Sequence, residues 1–141
     1  MDVCDVNVLI YALRPGVPLH TECRAWLTRV LAGDEAFGVS EQVLSAVVRI
    51  ATNPRAFAPP ETLDDVFAYT DALINNDRAI RLTPGPRHWN IFERLCRESS
   101  IRGPRVSDAY LAALAIEHGC ELVTTDGDFS RFPGLRWRRP Y

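Results

Sequence analysis

Short apolar segments alternate with stretches of helical periodicity along this chain, and that alternation limits its possible folds more than any other feature. Strands are predicted at 3–4, 37–39, 79–82 and 122–124, with a candidate fifth at 135–137. Helices are predicted at 7–13, 20–31, 40–51, 62–74 and 87–99, and a last one from Ser107 or Asp108 to 118, with Ser40 and Thr62 as N-caps. This order favours an α/β domain with a mainly parallel central sheet flanked by helices.

The length and composition fit one compact domain over 1–141, since 47% of the 141 residues are apolar and support a single core. The formal net charge is −2, so the molecule as a whole does not attract nucleic acid. Contact with nucleic acid would therefore depend on local patches or on a bound metal ion. Four apolar residues at helical spacing are predicted to be core rather than interface: Trp26, Leu27, Phe67 and Trp89.

The sequence carries no signal for a membrane or for secretion. No apolar run approaches the ~18 residues that a membrane span requires. Acids (Asp2 and Asp5) stand where a signal peptide would have basic residues. The four cysteines lack the spacing of zinc ligands, and reduced thiols are expected. We therefore expect a cytoplasmic protein with no membrane association.

Aspartates follow the first and fourth predicted strands and open the last helix. Asp5 follows the first strand, Asp126 and Asp128 follow the fourth, and Asp108 lies at the start of the helix that precedes the fourth. The carboxyl ends of parallel strands share one edge, where ligands bind in open sheets, and the first turn of that helix lies over the same edge. Clustered carboxylates repel one another unless a cation binds them, and hard divalent cations select oxygen ligands. The sequence thus predicts a magnesium or manganese site.

Each aspartate also has a simpler interpretation. Asp108 would stabilise a helix N-terminus as a capping acid, and Asp126 with Asp128 would form a solvated Asp-Gly turn. A phosphatase-like or receiver-like domain would also place an aspartate after its first strand. In this chain, however, Asn7 stands where such enzymes typically have a second acid. No phosphate-binding or dinucleotide-binding glycine loop is present.

Several motifs in a fixed order resemble those of PIN-domain ribonucleases and, more narrowly, the VapC toxins of bacterial toxin–antitoxin pairs. The likeness covers essentially the whole chain. The residues that carry it are DVNVLIYA at 5–12, RIATNPR at 49–55, SDA at 107–109, LAALA at 111–115, TTDGDF at 124–129 and FPGLRW at 132–137.

The resemblance implies a compact α/β/α fold and a Mg²⁺- or Mn²⁺-dependent endoribonuclease that hydrolyses RNA through metal-activated water. It also implies a homodimer and a VapB-type antitoxin as partner. By matching position, the metal-binding and catalytic acids would be Asp5, Asp108 and Asp126, with Asp128 as a fourth catalytic acid and with Asn7 and Thr124 or Thr125 as polar supports. Arg105, beside Asp108, would contact the RNA backbone.

One position departs from the family pattern. The family usually has a glutamate a few residues before the Arg49-Ile50 pair, and this chain has Ala46 there. Glu41 lies about 7.5 Å earlier along the helix axis and is a candidate replacement, although an acid at a helix N-terminus is favourable in any case. The departure keeps an alternative open, in which a degenerate PIN-like domain binds RNA or a protein partner with weak or no nuclease activity.

Overall fold

The central sheet has five parallel strands in the order β3-β2-β1-β4-β5 in the computed structural model, which describes all of residues 1–141. Every neighbouring pair is parallel. The prediction of a mainly parallel α/β sheet is confirmed, and the strands lie within two residues of the predicted positions. They are β1 (Asp2–Cys4), β2 (Phe37–Val39), β3 (Ala79–Arg81), β4 (Glu121–Val123) and β5 (Trp137–Arg138).

Six α-helices flank the sheet, and a short 3₁₀-helix follows β4. Ser40 and Thr62 are N-caps as predicted, since their hydroxyl oxygens accept from the N–H groups of Val43 and Asp65 at 3.4 and 3.1 Å. None of the helices is long and apolar enough to cross a membrane. They are α1 (Val6–Leu13), α2 (His20–Ala32), α3 (Glu41–Ala51), α4 (Leu63–Ile74), α5 (His88–Glu98), α6 (Arg105–Glu117) and the 3₁₀-helix (Gly127–Arg131).

The direction of winding reverses between β1 and β4. The chain steps from β1 to β2 to β3 in one direction, then returns to place β4 on the other side of β1. The N–H of Asp5 donates to the carbonyl of Val123 at 2.9 Å, so the two strands remain paired to their carboxyl ends. Ligands of open α/β sheets bind in the crevice at such a reversal. Asp5 and the loop after β4 both lie at this crevice.

Helix α6 begins earlier than the sequence predicted. Its first residue is Arg105, with Pro104 at the N-cap position, rather than Ser107 or Asp108. Pro104 has φ −58°, which is already helical, and the N–H of Val106 donates to the carbonyl of Gly103 at 3.1 Å. Asp108 therefore lies at the end of the first turn and does not cap the helix.

The last strand is shifted as well, because residues 132–135 form a turn. The N–H of Leu135 donates to the carbonyl of Phe132 at 3.2 Å, and Gly134 has φ +85°, in the left-handed region that glycine tolerates. Strand β5 therefore begins at Trp137 rather than at 135.

Two of the four apolar residues assigned to the core are on the surface. Trp26 and Leu27 are buried as predicted, but Phe67 and Trp89 are 49% and 65% exposed. The buried face of α4 carries Val66, Thr70 and Leu73. Phe67 is rotated by about 100° from Val66, which turns it away from that face. Trp89 stands in the same relation to the buried His88 on α5. The prediction was wrong for these two side chains.

Candidate functional site

Asp5 is a buried carboxylate that receives only neutral hydrogen-bond donors. It is 6% exposed and caps α1, and its Oδ1 accepts from the N–H of Val6 at 2.7 Å. Its Oδ2 accepts from the hydroxyl of Thr124 at 2.9 Å. No cationic side chain forms an ion pair with it. Asp5 is therefore desolvated without a counter-charge from the protein.

Thr124 connects Asp5 to the loop after β4. Its side chain is fully buried, and its Oγ1 accepts from the N–H of Asp126 at 3.0 Å while donating to Asp5. Of the two threonines predicted as supports, Thr124 is thus in contact with the acids. Thr125 contributes its backbone carbonyl to Arg139 at 2.7 Å and no side-chain hydrogen bond.

The 3₁₀-helix places Asp126 and Asp128 in the site. Asp126 is its N-cap, and its Oδ1 accepts from the N–H of Asp128 at 2.9 Å. Phe129 is 1% exposed and packs edge-on against Phe132 with ring centroids 5.8 Å apart, which anchors the helix in the core. Sequence analysis considered only an Asp-Gly turn here and missed this helix. The apolar Phe129 directly after the acids was the available signal.

Arg105 gathers the acids of α6 and the β4 loop. Its Nη1 donates to Asp108 Oδ2 at 3.1 Å and to Asp126 Oδ2 at 2.9 Å, and its Nη2 donates to Asp128 Oδ2. The sequence predicted carboxylates without any protein partner, and that prediction was wrong for these three. It failed because α6 begins at Arg105, which places Arg105 and Asp108 at i and i+3 on one helical face.

The electrostatics divide the acids into two groups. Burial raises the pKa of Asp5 from 3.8 to about 6, against the hydrogen bonds from Thr124 and Val6. Burial also raises the pKa of Asp108, although Arg105 opposes the rise. For Asp126, burial is outweighed by the N–H of Asp128 and by Arg105, and its pKa is lowered. Positive charge is therefore least supplied at Asp5 and Asp108.

A cleft of about 510 Å³ opens beside Asp5 and Asp108. Helix α3 forms the opposite wall, and Ala46 faces the cleft from it. Sequence analysis missed Gln42, which lies one turn before Ala46 on the same face, although the i, i+4 spacing could have identified it. The side chains that α3 contributes to the wall are Gln42, Ser45, Ala46 and Arg49.

Glu41 lies outside this cleft. Its side chain is exposed, is 3.5 Å from Arg81 and lines a separate groove between α3 and α4. Five residues rotate a helix by about 140°, so Glu41 and Ala46 face different directions. The structure therefore does not bring Glu41 together with the aspartates, and the position facing the cleft is alanine.

The donor set of the site fits a hard cation. It consists of oxygen ligands, and Arg105 already stands as a cation among three of the carboxylates. The buried Oδ1 of Asn7, two residues after Asp5, accepts no hydrogen bond from the protein. With Arg105 in place, no three acidic, imidazole or thiol side chains converge closely enough to hold an ion. Magnesium is commonly held by one or two carboxylates together with water and substrate oxygens, an arrangement that Asp5 and Asp108 suit.

Comparison with known proteins places the chain in a family. The family model described as PIN domain matches residues 3–135. The chain is 40% identical over 136 residues to the VapC ribonuclease Mb2897 of Mycobacterium bovis, covering 96% of this chain and 92% of that protein. It belongs to the VapC ribonucleases of the PIN-domain family. Ribonuclease VapC25 of Mycobacterium tuberculosis is 39% identical to this VapC-family chain over 140 residues, with 99% of each chain covered.

The fold agrees with a solved VapBC structure. The structure of VapBC2 from Rickettsia felis, bound to a DNA fragment from its promoter, superposes with a TM-score of 0.70 and covers 98% of this chain and 97% of that one. At 17% sequence identity this likeness concerns the fold alone. The predicted PIN-like α/β/α architecture is confirmed, as is the predicted VapC family.

Proposed function

We propose that this chain is an RNA endonuclease that acts as the toxin of a toxin–antitoxin pair. The observation that carries the proposal is the convergence of Asp5, Asp108 and Asp126 at the reversal of the sheet. VapC relatives named as ribonucleases, similar over nearly the whole chain, support nuclease activity over a degenerate domain. The similarity to a VapBC structure supports a VapB-type antitoxin as partner.

The proposal includes a Mg²⁺ or Mn²⁺ cofactor held by Asp5 and Asp108, with Asp126 and Asp128 completing the acidic set. When bound, such an ion supplies an activated water, neutralises charge on the phosphate and assists the departing ribose oxygen. Asp5 is suited to the role because burial keeps competing water away from it. Thr124 fixes the orientation of the Asp5 carboxylate through its hydroxyl.

We assign the contact with the RNA backbone to Arg49. Arg105 was the arginine predicted for this role, but it is engaged with three carboxylates. Arg49 is exposed on the wall of the cleft, and its guanidinium has no ion pair and no hydrogen bond. No acid lies three or four residues away from it in either direction along the chain. A free guanidinium presents a planar fork that fits a phosphate group.

The variant Arg49→Ala is expected to weaken RNA binding by roughly tenfold and to reduce the slope of log affinity against log salt by about one. The measurement is fluorescence anisotropy with labelled single-stranded RNA over a salt series, in EDTA so that the RNA stays intact. Arg55→Ala is the matched control, because Arg55 is exposed and lies outside the cleft. Equal slopes for the two variants would contradict the assignment.

Ala46→Glu is expected to tighten Mn²⁺ binding by roughly tenfold, the order of effect seen for groups next to a metal. Glu41→Gln is expected to leave Mn²⁺ affinity unchanged, because its side chain lies in another groove. Both affinities are measured by calorimetric titration of metal-free protein. Weaker binding in Glu41→Gln would show that Glu41 does serve the site.

Incubation of the purified chain with structured RNA and Mg²⁺ or Mn²⁺ tests the proposed activity against the degenerate alternative. Binding and cleavage are measured on the same RNA. Endonucleolytic cleavage supports the proposal. Binding without cleavage under every metal condition would favour a degenerate domain.

The remaining parts of the proposal are a homodimer, a cytoplasmic location and one PIN-like domain over 1–141. The exposed side chains of Phe67 and Trp89 offer apolar surface to a second chain. Participation of both Asp2 and Arg138 in one sheet supports a single domain. Sedimentation velocity tests the dimer, and a monomer at all concentrations would contradict it.

A further inference from the structure

We propose that Arg105 takes the place of a second divalent ion in this site, so that the chain binds one ion, at Asp5 and Asp108. The inference rests on the proposed function and adds the metal stoichiometry and the residue that sets it. Two-metal nucleases hold their ions ~3.5–4 Å apart and divide the charge stabilisation between them. Here a fixed guanidinium supplies the second positive charge.

The contacts of Arg105 match those expected of a bridging cation. One guanidinium nitrogen lies 3.1 Å from Asp108 Oδ2 and 2.9 Å from Asp126 Oδ2, and another contacts Asp128 Oδ2. The three acceptors come from two separate parts of the chain, α6 and the 3₁₀-helix. An isolated surface ion pair contributes little, whereas a guanidinium shared by three carboxylates is held in one geometry by all of them.

The acids on the Arg105 side already have their partners. Asp126 uses one oxygen to accept from the N–H of Asp128 and the other to accept from Arg105. Asp128 contacts Arg105 and lies 3.9 Å from Arg131. A second metal ion at these oxygens would have to displace a guanidinium of the same sign of charge.

The acid on the other side has no cationic partner. Both oxygens of Asp5 accept from neutral donors, the N–H of Val6 and the hydroxyl of Thr124. Asp108 shares the cleft with Asp5, and only its Oδ2 accepts from Arg105. The place left for a divalent ion is therefore between Asp5 and Asp108.

The local sequence fixes Arg105 in this position. Pro104 starts α6 so that Arg105 is its first residue, and Asp108 follows at i+3 on the same face. Because a guanidinium stays protonated at any working pH, it neutralises charge without activating water. Water activation is therefore left to the single ion, and Arg105 is a positioning and charge-neutralising residue.

Calorimetric titration of the metal-free full chain with Mn²⁺ tests the inference. We expect one ion per chain for the natural protein and for Arg105→Lys, and two ions per chain for Arg105→Ala and Arg105→Gln. Arg131→Ala is the matched control: it removes a neighbouring arginine near Asp128 and should leave one ion. Two ions in the natural protein, or one ion in both neutral variants, would overturn the inference.

Thermal melts show which variants are folded, and Arg105→Gln keeps the test valid if Arg105→Ala does not fold. RNA cleavage is measured separately, so that the two proposals fail in different ways. A change from one ion to two without any RNA cleavage would count against the proposed function and support the stoichiometry. Cleavage by a natural protein that binds two ions would count against the stoichiometry alone.

Discussion

Asp5→Asn is expected to abolish RNA cleavage and, in metal-free protein, to make the fold more stable above neutral pH. Loss of groups that merely support a metal ligand costs roughly 10–100-fold, so loss of a ligand should lower cleavage by at least about 100-fold. The gain in stability follows from removing a buried charge that no cation pairs. Asparagine retains an oxygen that accepts from the N–H of Val6, so the cap of α1 is preserved.

The gain depends on pH in a defined direction. Burial raises the pKa of Asp5 from 3.8 to about 6, so between these values the folded state keeps a proton that the unfolded state has lost. The protonated Asp5 therefore contributes its full stability below 3.8, and that contribution is lost as the pH rises through about 6. The shift of about two units corresponds to about 3 kcal/mol.

Urea unfolding in EDTA at pH values below 3.8 and above 6 measures this effect. We expect the free energy of unfolding of Asp5→Asn to exceed that of the natural protein by about 1–3 kcal/mol at the higher pH and to match it at the lower. Asp34→Asn, at an exposed acid, is the control and should show no such difference. The same pH dependence in Asp5→Asn and the natural protein would contradict the account of Asp5.

Phe129→Ala is expected to destabilise the fold by about 3–5 kcal/mol, the usual cost of removing a fully buried phenylalanine. Phe129 is 1% exposed and packs against Phe132. It also anchors the 3₁₀-helix that carries Asp126 and Asp128, so its loss should separate these acids from Arg105. We therefore expect weaker RNA cleavage as well as lower stability.

The matched control is Phe67→Ala, which removes the same group from a side chain that is 49% exposed. Denaturant unfolding at one pH gives the free energy of unfolding for both variants. The loss in Phe67→Ala should be less than half of that in Phe129→Ala. Similar losses would show that Phe129 does not anchor the loop as described.

The fold could be predicted from the sequence because its signals are local. Hydrophobic periodicity identified each strand and helix, and Ser40 and Thr62 marked two helix starts through hydrogen bonds within their own first turns. The edge of the sheet on which Asp5 and Asp126 lie followed from topology, since parallel strands end at a common edge.

The details of the site depended on contacts that local signals do not contain. The early start of α6 after Pro104 placed Arg105 among the acids. Because one helical residue corresponds to about 100° of rotation, small differences in position decide which side chain faces the cleft. Ala46 faces it and Glu41 does not. The resemblance indicated which acids to consider, and the structure supplied their partners.

The most direct test of the central claim is the rate of RNA cleavage by the metal-free chain before and after addition of Mn²⁺, with Asp5→Asn measured in parallel. We predict no cleavage in EDTA, cleavage when Mn²⁺ is added, and no activity of Asp5→Asn in either condition. Cleavage that persists both in EDTA and in Asp5→Asn would contradict a metal-dependent ribonuclease built on these aspartates.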